Sequence, residues 1–196
     1  DLPPRVKFVD PGRYLPPGGG RMLAIDSVNV SNVYCAAAAI PPANIVQLLA
    51  RENACYKSCN LGADEENTED LADKFCEWKV RAAGPRNQHV ISPLKLRTLP
   101  DASSNGVFLV AIRSADQERQ DYRYYGKEKW NPNHYRLICL TDIGLTVRQE
   151  GQRLIVWATS LTTGAPFANC TLEVYGSNNR RIGTGRTDGT GRTDGT

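Results

Sequence analysis

The sequence predicts an all-β protein: immunoglobulin-like antiparallel β-sandwich domains with one short helix. Three observations carry that expectation. Short runs of alternating or β-branched apolar residues recur along the whole chain, turn-forming residues separate them at intervals of about 8 to 12 residues, and a single run has helical periodicity. Strands that alternate with helices, the signature of a parallel nucleotide-binding sheet, are absent. With 40% apolar residues among 196, the chain has enough material for a core.

Taken in order, Arg5-Val6-Lys7-Phe8-Val9 alternates polar and apolar and breaks at Asp10-Pro11-Gly12 and again at Pro16 to Gly20. From Met22 to Tyr34 the apolar residues Leu23, Ile25, Val28, Val30 and Val33 slip phase at Asp26-Ser27, which predicts one long strand with a bulge or bend. Pro41-Pro42 precedes Ile45, Leu48 and Leu49 on one helical face, so a helix of about three turns is expected over 41–50. Residues 64–70 are almost all acidic or polar and read as a solvated loop. Glu77 to Ala82 and Ser92 to Leu99 read as strand-and-loop material. Gly106 to Ile112 is apolar throughout and bounded by polar turns, as a buried central strand should be. Residues 115 to 134 form a polar insertion with eight charged side chains, expected to be exposed and the first site of proteolysis. His134 to Leu140 starts another strand. Thr141-Asp142-Ile143-Gly144 then reads as a hinge, followed by strands at Leu145 to Gln149, Leu154 to Ser160 and Cys170 to Tyr175, with turns at Glu150-Gly151, Thr163-Gly164 and Ser177 to Asn179.

Two domains follow from this pattern: residues 1–140, a sandwich with the short helix and the insertion, and residues 141–196, the start of a second sandwich. About 55 residues after the hinge are too few for an immunoglobulin-like domain of about 100, so the second is expected to be cut short, with a sheet face and a strand edge left uncovered. The hexapeptide Gly185 to Thr190 is repeated immediately as Gly191 to Thr196.

A net charge of +3 with scattered basic residues gives no reason to expect nucleic acid as a partner. No apolar run is long enough to cross a bilayer. Asp1-Leu2-Pro3-Pro4 lacks the basic start and apolar stretch of a secretory signal, so an exported protein is expected to have lost it. Six cysteines with one methionine and two histidines fit disulfide pairing better than metal ligation, which implies an oxidising compartment. The expected arrangement is two bridges among Cys35, Cys55, Cys59 and Cys76. Cys139 and Cys170 are either paired with each other or free in cores.

Chemistry is expected nowhere in the chain. Cys55, Cys59 and Cys76 with His89 or His134 give a loose zinc spacing and no second knuckle. Ser92 or Ser160 with His89 or His134 could name a triad, but no Gly-x-Ser-x-Gly elbow accompanies them. The acidic run from Asp64 to Asp73 lacks calcium-loop spacing. No catalytic residue, cofactor site or metal site is assigned. Asn169-Cys170-Thr171 is a glycosylation sequon that matters only in a eukaryotic secretory pathway.

The positive signal lies in three motifs in fixed order: Thr141-Asp142-Ile143-Gly144-Leu145, then Val156-Trp157-Ala158-Thr159-Ser160-Leu161-Thr162-Thr163-Gly164-Ala165-Pro166, a strand and its following turn, then Gly183-Thr184-Gly185-Arg186-Thr187-Asp188-Gly189-Thr190-Gly191. Together they resemble the macroglobulin-type domains of the bacterial alpha-2-macroglobulin family, and Val6-Lys7-Phe8, Ser27 to Val33 and Asn44 to Leu49 resemble the preceding domain more diffusely. The resemblance implies a periplasmic, cell-envelope or extracellular, non-catalytic scaffold segment of a broad-spectrum endopeptidase inhibitor that entraps proteases. Its partners would be the remaining domains of the parent chain and, through the full-length protein, proteases. The family's Cys-x-Glu-Gln thioester has no counterpart, since no Cys-x-x-Gln occurs. The exposed aromatics Tyr122, Tyr124, Tyr125 and Trp130 are the candidate interface, first for other domains of the parent and second for a protease or envelope partner. The competing class is a binding or structural sandwich module of another cell-surface protein such as an adhesin.

Overall fold

A computed structural model describes residues 1–9, 14–16, 21–49, 76–96, 105–114 and 134–195. The protein is all-β: its strands form several sheets, mainly antiparallel, and one short helix, α1 (42–49), interrupts them. The chain divides into two compact units, the first made of Asp1–Ile40 with Ala72–Leu140, the second of Pro41–Leu71 with Thr141–Thr196.

The first unit packs a three-stranded sheet against a five-stranded one. The smaller sheet orders β1 (Arg5–Phe8), β3 (Met22–Val28) and β6 (Val90–Lys95), with β3 in the middle. The larger orders β2 (Tyr14–Leu15), β8 (His134–Leu140), β7 (Gly106–Ser114), β4 (Asn32–Ile40) and β5 (Cys76–Arg81). Alternation sets the faces. Val6, Phe8, Leu23, Ile25 and Leu94 of the small sheet meet Val33, Cys35, Val110, Ile112 and Ile138 of the large one in a single buried cluster. Arg136 enters this layer by laying its guanidinium 4.9 Å from the centroid of the Phe8 ring. The large sheet is buried on its other face too: Ala36, Ala38, Leu109 and Ala111 are at most 2% exposed. Burial on both faces is why β7 reads as a continuous apolar run, and its expected central place is borne out.

The edges match their composition. Pro93, which has no N–H to donate, sits in the edge strand β6. On the opposite sheet the edge strand β5 points Glu77, Lys79 and Arg81 outward.

One expectation is corrected. The region 22–34 is two strands in different sheets, not one bulged strand: pairing is regular through Asp26 and Ser27, and the chain turns after Val28 at Asn29, whose φ is 51°. The phase slip arises because Asp26 is buried by its own partners, Lys7 Nζ at 3.7 Å and His89 Nδ1 at 3.0 Å. The Asn29 turn is clasped by Asn87, which donates its backbone N–H to Asn29 Oδ1 at 2.6 Å and accepts Asn29 Nδ2–H at 2.9 Å. The described part of the helix runs over residues 42–49, inside the expected span, with Leu48 as its buried anchor. Within this antiparallel architecture β2 adds to β8 in parallel through Tyr14↔Cys139 and Leu15↔Leu140.

In the second unit, β9 (Ile143–Glu150) and β10 (Arg153–Ser160) form a hairpin with Gly151 at φ 61° in the turn, and β13 (Arg192–Gly195) pairs with the other side of β10. A separate two-stranded sheet joins β11 (Thr171–Tyr175) to β12 (Arg181–Arg186). Leu172 and Val174 are half-buried, while Glu173 and Tyr175 of the same strand are exposed. Glycine at Gly185 permits the approach of the two sheets: a Cβ there would lie 2.7 Å from Thr193 Oγ1.

Candidate functional site

The three motifs that carry the family resemblance interlock in the second unit. Asp142 stands just before β9, and both of its carboxylate oxygens are engaged. Oδ2 accepts the Ser160 hydroxyl at 2.7 Å, while Oδ1 accepts the Thr162 N–H at 3.0 Å and the Thr162 hydroxyl at 2.5 Å. Ser160 Oγ in turn accepts the Thr163 N–H at 3.0 Å, and the backbone of Leu161 donates to Asp142 O at 2.7 Å. The Thr162 hydroxyl above all, then that of Ser160, holds the Asp142 carboxyl below its ordinary value. The first motif is thereby tied to the loop of the second.

The second and third motifs meet at Ala158, Gly191 and Thr187. Ala158 N donates to Gly191 O at 2.8 Å, and Phe167 N donates back to Ala158 O at 2.9 Å. Thr187 is only 2% exposed. Its hydroxyl donates to Phe167 O at 2.6 Å and accepts Cys170 N–H at 2.8 Å. Asp188 closes the turn by accepting the Thr190 N–H at 2.8 Å, the Thr190 hydroxyl at 2.7 Å and the Arg192 N–H at 3.1 Å, and the Thr190 hydroxyl leads in holding its carboxyl below the ordinary value. The Asp142, Ser160, Thr162, Thr187, Asp188 and Thr190 side chains are thereby engaged in fixing loops.

Among the described residues the nominal catalytic and metal sets do not assemble, and Cys55, Cys59 and the His134 side chain lie outside them. Ser160 serves Asp142, and His89 turns its Nδ1 to Asp26. Ser92 lies in β6 opposite Ile25, and the backbone of His134 lies in β8 opposite Ile112. Among the described residues no three His, Cys, Asp or Glu side chains gather as metal ligands, and no helix is long and apolar enough to cross a membrane.

Four of the six cysteines lie among the described residues. Cys35, Cys76, Cys139 and Cys170 are free thiols. Cys35 faces the first unit's core between Trp78 and Ile112 on the neighbouring strands, so no cysteine stands opposite it. Cys76 is opposite Ala37, which makes it a diagonal neighbour of Cys35 at about 7–8 Å, beyond disulfide reach. Burial pushes the Cys35 thiol up to about 12 and raises that of Cys139 as well. Cys55 and Cys59 lie outside the described residues, as do the candidate interface residues Tyr122, Tyr124, Tyr125 and Trp130.

The exposed feature that sequence reading located only in outline is the β9 face. Leu145 and Val147 are 54% and 57% exposed, yet they share a sheet face with Val156 and Ala158 of β10, which are 8% and 0% exposed. The alternation of Leu145 and Val147 with Thr146 and Arg148 was visible in the sequence. What leaves them uncovered is the extent of the second layer, which no local pattern encodes.

Residues 140–194 match the sequence model described as the bacterial alpha-2-macroglobulin MG3 domain. The alpha-2-macroglobulin of Xylella fastidiosa (strain 9a5c) is 21% identical over 193 residues, covering 96% of this chain and 11% of that protein. The alpha-2-macroglobulin homolog of Nostoc sp. (strain PCC 7120) is 29% identical over 129 residues, covering 61% of this chain and 7% of that protein. The chain therefore spans about a tenth of the length of the curated relatives it matches. Among solved structures, native Escherichia coli alpha-2-macroglobulin spanning domains NIE-MG1 superposes with a TM-score of 0.71 at 20% identity, covering 99% of this chain and 87% of that one. Salmonella alpha-2-macroglobulin reacted with methylamine gives 0.61 at 17% identity, covering 99% of this chain and 10% of that one. The motif-bearing unit with its interlocked loops and the sequence match over it agree: residues 140–194 match the bacterial alpha-2-macroglobulin MG3 domain, and the chain along its length is similar to bacterial alpha-2-macroglobulins.

Proposed function

We propose that the chain is a non-catalytic scaffold segment of an exported bacterial inhibitor that entraps endopeptidases of broad specificity, and that its domains position the trap. The observation that carries this reading is the commitment of Asp142, Ser160, Thr187 and Asp188 to loop architecture within the stretch that matches the macroglobulin domain. The polar groups of these motifs hold shape, which is the work of a scaffold. Residues 1–140 and 141–196 then correspond to one macroglobulin-type domain and the start of the next, and the aromatic set Tyr122, Tyr124, Tyr125 and Trp130 serves packing against other domains of the parent. The periplasm or cell exterior is where such a scaffold meets foreign proteases.

Entrapment has a distinctive readout. The full-length protein, mixed with trypsin or elastase, should abolish digestion of a large protein substrate while leaving cleavage of a small chromogenic peptide largely intact. Residues 1–196 alone should do neither and should hydrolyse nothing. Unchanged protein digestion by trypsin, elastase and other endopeptidases in the presence of the full-length protein, or stoichiometric inhibition by the segment alone, would overturn the proposal.

A further inference from the structure

Asparagine carries a reactive amide: the main-chain nitrogen of the following residue can attack its side-chain carbonyl and expel ammonia, which makes asparagine thermolabile. Three conditions let this happen in a folded chain. The amide must be uncommitted, the next nitrogen must be free to swing onto it, and the next residue must have no side chain in the way. The other described asparagines each fail at least one condition that Asn105 meets, and none of them is followed by glycine. Asn29 and Asn87 spend their amides on each other. Asn179 donates its amide to Ala43 O at 2.8 Å, and the nitrogen that would attack Asn178 is bonded to Gly176 O at 2.9 Å. The nitrogen after Asn169 is held by Thr187 Oγ1 at 2.8 Å. Asn32 is paired within the large sheet, and Asn44 lies in α1.

Asn105 forms the only Asn-Gly pair in the sequence. It is exposed, and among the described residues its amide has no hydrogen-bond partner. Gly106 is a corner residue of the large sheet: it pairs with Leu140 of β8, but the ladder between β7 and β4 begins one residue later, at Val107↔Ile40. A strand end held from one side opens locally at little cost, and glycine supplies the conformational freedom that ring closure needs.

We propose that Asn105 is a site of spontaneous deamidation that converts it to aspartate and isoaspartate. The Gly106 nitrogen bonds to Asn105 Cγ, the Cγ–Nδ2 bond breaks, and ammonia leaves with the proton from Gly106 N, closing a cyclic imide. Water then opens the ring. Attack at Cγ yields aspartate, and attack at the original main-chain carbonyl yields isoaspartate, whose backbone runs through the former side chain. The step needs water alone, without oxidant, reductant or enzyme. Either product places a new carboxylate ahead of β7, and isoaspartate adds an extra carbon to the main chain just before this central strand. Because the β4 ladder starts at Val107, the core pairing of β7 outlasts the change, while the Gly106–Leu140 pair at the corner does not.

The test is incubation of the full-length natural protein and of residues 1–196 in warm, near-neutral buffer, followed by peptide mapping with a fragmentation method that distinguishes isoaspartate from aspartate. The tryptic peptide 98–113 reports the site cleanly, because it holds no other asparagine. Asn105 should convert at least about tenfold faster than Asn29, Asn87, Asn169, Asn178 or Asn179, with isoaspartate the major product. Gly106→Ala should slow its conversion by about tenfold or more. An added Cβ there lies 3.5 Å from Phe108 Cε2, an ordinary contact, so the variant should fold. Denaturation should bring the other asparagines closer to Asn105 by releasing their bonds. A rate at Asn105 no higher than at the clasped asparagines overturns the proposal. So does conversion that appears only after denaturation, which means that the corner stays shut, and so does an undiminished rate in Gly106→Ala. Conversion in residues 1–196 but not in the full-length protein overturns it for the natural molecule.

Discussion

The carbonyl oxygen of Ala158 lies 2.5 Å from where a Cβ on Gly191 would stand, and Gly191 itself has a φ of 73°. Any other residue there is strained twice, by its backbone conformation and by collision with a strand that cannot move aside. Gly191→Ala should therefore destabilise the second unit by at least about 1–3 kcal/mol, the cost of the backbone conformation alone. Gly189 has nothing within 4 Å of its Cβ position, and Gly189→Ala should be close to neutral. Urea titrations followed through the fluorescence of Trp157 would show the contrast. Equal midpoints for the two variants would refute it.

Acid should loosen the motif loops. Hydroxyl and amide donors hold Asp142 and Asp188 below the ordinary carboxyl value in the folded chain. A carboxylate whose folded value is depressed contributes stability above its unfolded value, near 3.8 for both, and that contribution is lost as pH falls through the folded value. The melting temperature should fall more steeply below about pH 4 in the wild type than in Asp142→Asn or Asp188→Asn, which start lower. Parallel pH profiles for wild type and variants would count against the role given to these groups.

The thiols should differ in reactivity. With its thiol pushed up to about 12 and its side chain in the core, Cys35 should resist iodoacetamide at pH 8 until the protein is denatured, whereas the half-exposed Cys170 should label in the native state. Peptide mapping without reductant that finds Cys35 in a disulfide would contradict its place between Trp78 and Ile112.

In the first unit, Ile112→Ala removes a side chain with no exposed surface from the central strand and should cost about 2–5 kcal/mol. Ile91, 67% exposed, offers the control: Ile91→Ala should change stability by no more than about 0.5 kcal/mol. Thermal or chemical denaturation of the two variants, side by side, checks both figures.

How much of this was legible depended on how local the cause was. Val6 and Phe8, the apolar run of β7 and the turns at Gly151 and Gly164 follow from alternation and from glycine chemistry, and they were found. The strand Asn32–Ile40 was hidden because Ala36 to Ala39 carry no strand propensity. They are extended because small side chains fit a sheet buried on both faces, a tertiary cause. The repeated hexapeptide is the sharpest case. In its first copy Thr187 and Asp188 make a turn, and in its second Arg192–Gly195 is a strand beside β10. Identical residues cannot announce different structures; their neighbours decide. At the candidate site, the loop-shaping role of the three motifs was readable from their turn residues, but the convergence of Asp142 on Ser160 and Thr162 was not, since it joins residues 18 and 20 positions apart.

The first unit draws its strands from both sides of residues 41–71, and Tyr14 pairs with Cys139. That arrangement sets a clock on biogenesis. As the chain is made from its N-terminus, β4 emerges before β5 and β7 exist to flank it, and at about 5–20 residues per second the stretch from Ile40 to Ser114 takes about 4–15 seconds. Until β7 arrives, an apolar strand destined for burial on both faces can pair only with the edge strand β5, and high contact order makes closure slow even once the last strand arrives. The yield of such a segment is thus governed by whatever shields the nascent chain during those seconds, before any feature of the finished sandwich can contribute.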